Sequence, residues 1–179
     1  MSIVPPEEII NQFKEKFGDN IKEARLEKHP TGPKKKELLD IWFIIDRSIF
    51  KEAVKYLTNF EKYPHIAVAS GYDAGDTINL NYHFSIYYGG DRGQEITINF
   101  VVPLPKTDPV IETITDIIPG ALITEQEKQE MLGVKVVGIP KDTRVFTSDD
   151  LPEGKYPWRR DQTGVYDIAR NLHEVKKDE

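Results

Sequence analysis

The alternation of apolar and polar positions is clearest from Ile78 onward, where Ile78, Leu80, Tyr82, Phe84, Ile86 and Tyr88 recur at every second residue with Asn79, Asn81, His83, Ser85 and Tyr87 between them. A period of two puts these sets on opposite faces of a strand, so one face is core and the other largely polar. Gly89-Gly90-Asp91-Arg92-Gly93 then turns the chain into Ile96, Ile98, Phe100 and Val102, which predicts a β-hairpin with a five-residue loop, stopped by Pro103 and Pro105. Three more strands are predicted upstream: Asn20 to Glu27, ahead of an exposed turn at His29-Pro30-Thr31-Gly32-Pro33; the apolar run Leu38 to Ile45; and Ile66 to Ser70, ending in a turn at Gly71 to Gly75.

Helical spacing governs other stretches. Pro5 and Pro6 suit a helix start, and Ile9, Ile10, Phe13 and Phe17 then share one face before Gly18 stops it. Asp46 or Ser48 is placed to cap a second helix with Ile49, Phe50, Ala53, Val54, Leu57 and Phe60 on one side, ended by Pro64. Asp108-Pro109 predicts a helix through Ile111 to about Ile117, and a shorter one holds Glu125 to Leu132, closed by Gly133. Beyond it, Gly, Pro and turn residues predict an extended segment. Mixed helices, strands and hairpins fit an α+β domain: a mixed, mainly antiparallel sheet with packed helices and an extended C-terminal segment. Residues 1–122 form the expected globular body, and 123–179 a helix and docking tail of the same domain.

The 179 residues, 39% of them hydrophobic, are enough for one real core. A net charge of −6 argues against nucleic acid as a partner, and the absence of cysteine removes both disulfides and the thiolates that iron–sulfur clusters normally need. The chain opens Met-Ser-Ile-Val-Pro-Pro-Glu-Glu without a basic-then-apolar leader, and its apolar runs, such as Ile41 to Ile45, are too short to span a bilayer. Membrane association is therefore expected only through partners.

No stretch carries convincing catalytic chemistry. The glycine cluster at 89–93 leads into a strand rather than a helix N-terminus, so it reads as a turn rather than a phosphate cradle. His29, His65, His83 and His173 are scattered without metal-ligand spacing, and Ser48, Ser70, Ser85 and Ser148 lack a nucleophile elbow. Asp73, Asp76 and Asp91 leave one alternative open: an independent small-ligand-binding protein or hydrolase using these acidic loops. On the predicted helix from Glu125 to Leu132, Glu127 and Glu130 lie three apart, so they share a face and are placed to receive a common Arg or Lys, with Arg144 the nearest internal candidate and a partner subunit the other.

From Glu125 the chain reads Glu-Gln-Glu-Lys-Gln-Glu-Met-Leu-Gly-Val, then Gly138-Ile139-Pro140 and Arg144-Val145-Phe146, and finally Leu151-Pro152-Glu153-Gly154-Lys155-Tyr156-Pro157-Trp158-Arg159-Arg160-Asp161. This succession resembles the signature of the 30 kDa subunit family of respiratory complex I, which also contains small subunits of related membrane-bound hydrogenases and sulfur-reducing complexes. Ile139 stands where the family carries His. The resemblance, strongest over the last third, implies a cofactor-free accessory subunit on the cytoplasmic face of an energy-converting membrane complex, most like the stand-alone subunit of archaeal hydrogenase and sulfane-sulfur reductase complexes. It implies the large hydrogenase-like (49 kDa-type) subunit and a small iron–sulfur subunit as partners, which hold the iron–sulfur clusters and any NiFe-type centre. It assigns partner contact to Glu125, Glu127, Glu130, Gly133, Gly138, Pro140, Arg144, Pro152, Gly154, Tyr156, Pro157, Trp158, Arg159 and Arg160. The aromatic and Arg residues of this tail suit an interface, and the tail is expected to bury poorly on its own domain but well on a neighbour.

Overall fold

The hairpin forms two of the five strands in the main sheet, pairing β4 (Thr77–Ile86) antiparallel with β5 (Ile96–Pro105). A computed structural model describes residues 3–33, 36–90, 93–140 and 143–168; Asp91, His173 and the run Lys176 to Glu179 lie outside these. Strand order is β1-β2-β5-β4-β3, with β1 (Ile21–Thr31), β2 (Lys36–Ile45) and β3 (His65–Asp73). Within this sheet β2 and β5 form the one parallel pair, so it is mixed and mainly antiparallel. Helices α1 (Pro6–Phe17), α2 (Phe50–Leu57) and α3 (Leu122–Leu132) complete an α+β fold.

The predicted periodicities account for the core. Phe13 of α1 stacks on Phe43 of β2 at 4.8 Å between ring centroids, and Phe50 of α2 meets Tyr82 of β4 at 4.4 Å. Leu80 of β4 and Leu132 of α3 both close on Gly71, so all three helices address one face of the sheet. The other face carries the polar set. There His83 Nδ1 lies 2.6 Å from Asn99 Oδ1, Asn99 donates to Ile41 O at 3.2 Å, and Trp42 packs edge-on against His83.

Several boundaries differ from the sequence reading, each for a local reason. β1 runs on through His29 and Pro30 to Thr31, because an edge strand has a side on which proline's missing N–H breaks no ladder. β5 runs through Pro103 to Pro105, since its pairing with β2 ends at Val101 and frees that flank. β3 continues through Gly71 to Asp73, so the following turn shrinks. At the end of β4 the alternation breaks: Tyr87 adopts φ 60 and turns inward, leaving Tyr88 exposed. The helix predicted from Asp108 to Ile117 does not form. In its place β6 (Val110–Glu112) pairs in parallel with β7 (Lys135–Val137), a segment otherwise expected to be irregular. The β-branched run Val110, Ile111, Thr113, Ile114, Thr115 favours extended backbone once a partner strand is within reach.

Candidate partner-docking site

α3 is fixed from both ends. Near its start Thr124 Oγ1 receives Ala69 N–H at 3.2 Å and donates to Ala69 O at 3.0 Å, occupying the outer edge of β3. At its end Gly133 has φ 69, and its N–H returns to the carbonyls of the last turn. A Cβ there would lie 2.6 Å from the Tyr156 ring, so glycine both ends the helix and admits the tail.

The three acids of the signature have different fates. Glu125 is wholly buried and accepts hydrogen bonds from Thr113 Oγ1 at 2.5 Å and Ile114 N at 2.9 Å, so it faces its own domain and not a partner. Burial pushes its carboxyl up, against the opposing hydrogen bonds, and its charge helps burial push the Tyr82 phenol well up. Glu127 pairs with Lys128, which is itself buried beneath Trp158 with Nζ 5.1 Å from the ring centroid. Glu130 gathers the N–H groups of Val145 (2.6 Å), Phe146 (2.9 Å) and Thr147 (2.8 Å) plus Thr147 Oγ1 (2.8 Å). Partial burial works against its ionisation, but these donors outweigh it and hold the carboxyl low. Glu127 and Glu130 therefore do not share Arg144, which instead donates to the carbonyls of Ser148 and Leu151 at 2.9 and 3.2 Å. A carboxylate beside three unpaired backbone N–H groups satisfies donors that no helix or strand would otherwise meet.

The tail lies on its own domain, contrary to the expectation that it would bury poorly there. Trp158 N–H donates to Met131 O at 2.9 Å, and Tyr156 rests on Gly133. Arg160 N–H reaches Asp73 Oδ2 at 2.8 Å across 87 positions of sequence. Lys106 Nζ bridges Asp73 and Asp161 at 2.7 Å each, and Asp73 also accepts Gly75 N–H at 2.9 Å. Burial alone would raise Asp73, but Lys106 and the two N–H donors keep it below its ordinary value; Lys106 and Thr163 depress Asp161 strongly. Asp73 is thus a structural anchor, while Asp76 is exposed. Arg159 is only 6% exposed, with Nε and Nη1 buried without an acceptor and Nη1 3.9 Å from Asp161.

Of the residues singled out for partner contact, Glu125 and Arg159 are buried, and Gly133 serves the fold. Gly138 and Gly154 also have positive φ, while Pro140, Pro152, Trp158 and Arg160 face outward. Sequence reasoning missed Lys106, Thr113 and the buried state of Lys128; no local period marks them, because their partners are distant in sequence. Beside α3, three apolar side chains from β3, α3 and the tail remain exposed. Val68 (50% exposed), Ile123 (53%) and Phe146 (42%) surround a groove of about 310 Å³ beside Glu127. Among the described residues no group of three His, Asp or Glu side chains is placed to hold a metal, and no helix is long and apolar enough to cross a membrane.

A family model described as the 30 kDa subunit of respiratory-chain NADH dehydrogenase matches residues 43–167, from β2 through the tail, well beyond the last third. The membrane-bound hydrogenase subunit beta of Pyrococcus furiosus is 34% identical over 125 residues, 70% of this chain and 71% of that protein. Among solved structures, a chain of the membrane-bound sulfane sulfur reductase, an archaeal respiratory membrane complex, superposes with a TM-score of 0.65 at 20% identity over 97% of this chain and 98% of that one. A trypsin-resistant fragment of Nqo5 superposes with a TM-score of 0.56 at 20% identity, over 75% of this chain and 97% of the fragment. At that identity both structures speak to the fold alone.

Proposed function

The chain belongs to the family of the 30 kDa subunit of respiratory-chain NADH dehydrogenase, and we propose from this that it is a cofactor-free bracing subunit of a complex I-related membrane-bound hydrogenase or sulfane sulfur reductase. In this reading it sits at the cytoplasmic face of the membrane and docks on the large hydrogenase-like subunit, with the small iron–sulfur subunit close by. Electron transfer and any coupled ion translocation belong to those partners. This chain supplies a rigid surface.

The observation that carries the reading is the apolar face beside α3. The polar groups of the signature are largely spent inside the domain, on Thr113, Val145 to Thr147 and Asp73, while Val68, Ile123 and Phe146 remain in water. Exposed apolar side chains around a groove, rimmed by polar residues, suit contact with another protein. The test is co-purification of the large subunit from cells that express the whole complex. Ile123→Asp with Phe146→Asp is expected to lower its recovery at least about tenfold while changing the unfolding free energy by no more than about 1 kcal/mol, because both side chains are exposed. Undiminished recovery would overturn the proposal.

A further inference from the structure

Beyond the groove at Ile123, β3 and the tail enclose a second cleft of about 320 Å³, lined by Gly71, Tyr72, Pro157, Trp158, Arg160 and Tyr166 along with the anchor Asp73. Its aromatic walls are well exposed: Tyr72 47%, Trp158 41% and Tyr166 73%. We propose that this cleft receives an acidic, extended segment of the partner subunit, whose carboxylate binds the Arg160 guanidinium while a neighbouring side chain lies between Tyr72 and Trp158. The inference rests on the docking role proposed above and names the chemistry of one contact within it.

Charge balance is the reason for an acidic occupant. Asp73 is taken up by Lys106, Gly75 N–H and Arg160 N–H, and Asp161 by Lys106 together with Thr163 N–H and Oγ1. The two carboxylates thus answer Lys106 and Arg159, and the Arg160 side chain, which also lines the cleft, adds a positive charge that neither of them meets, on a chain whose net charge is −6. The surplus falls on Arg160: its side chain is exposed and forms no hydrogen bond or ion pair among the described residues, while its backbone N–H is fixed on Asp73. A guanidinium held at its root and free at its tip is placed to take a carboxylate with two parallel hydrogen bonds. Aromatic rings around it would exclude water on association and strengthen that pair. The cleft has room for a few side chains only, which suits a short extended stretch.

The experiment measures affinity of the full-length chain for the large subunit isolated from the same complex, at low and high salt. Arg160→Glu is expected to weaken binding at least about tenfold, Arg160→Gln to weaken it less and flatten its salt dependence, and Arg160→Lys to retain most of it. The chain's unfolding midpoint should be unchanged in all three, since the Asp73 contact uses the backbone. Equal affinity of wild type and Arg160→Glu would overturn the inference. So would a loss confined to Trp158→Ala with Arg160→Gln neutral, which would indicate an uncharged, proline-type or apolar occupant. Failure of the docking reading itself would show differently: wild type would not bind the large subunit at all, or Ile123→Asp with Phe146→Asp would bind it normally.

Discussion

Glu125 heads a stretch that reads as a recognition motif, yet its carboxylate is inside the domain, tying α3 to Thr113 and Ile114. Because burial raises its folded pKa above the ordinary 4.5, folding disfavours its charged form. The cost is absent below 4.5, where both states are protonated, and grows as pH rises through the window between 4.5 and the raised folded value. Glu125→Gln removes this titration. Urea unfolding of both proteins at pH 4 and pH 7 should therefore show wild type gaining stability relative to Glu125→Gln on acidification; a pH-independent difference would contradict it. Glu130 and Asp161 have lowered values and act in the opposite sense, holding stability above their ordinary values and losing it as pH falls through the folded ones. They are common to both proteins and cancel in the comparison. The presence of Glu125, Glu127 and Glu130 on one short helix was legible in the sequence. Their partners were not, because Thr113, Lys128's burial and the N–H groups of residues 145–147 are set by where other elements lie.

At the scale of elements, the two-residue period of β4 and β5 and the helical spacing of α1 and α2 sufficed, since each buries one regular face. The stretch after Asp108 misled because its apolar residues satisfy a helical count, while its actual partner, Lys135 to Val137, lies beyond α3. Tail docking was illegible for the same reason: Trp158 meets Met131, and Arg160 meets Asp73. The join between α3 and the tail gives a sharp prediction. Gly133→Ala forces a left-handed alanine at φ 69 and drives its Cβ to 2.6 Å from the Tyr156 ring, which together should cost about 2–4 kcal/mol. Gly154→Ala is an internal control with φ 76 but nothing within 4 Å, and should cost about 1–2 kcal/mol. Denaturant midpoints that fell equally in both variants would show that Tyr156 does not pack on Gly133.

For the whole molecule, residues 145–163 fold onto the body of the same chain, and the surface so formed is the one proposed to meet the partner. Removing residues after Thr147 should therefore weaken both the fold and the assembly, since it deletes Tyr156, Trp158 and the Asp161 partner of Lys106. The most direct measurement is amide hydrogen exchange of this chain, alone and within the assembled complex. Residues 150–164 should already be protected in the free chain, and assembly should add protection at residues 66–73, 120–131 and 144–160 but not along β1. A tail that exchanges freely until the partner arrives, or new protection centred on β1 instead of α3 and β3, would contradict this.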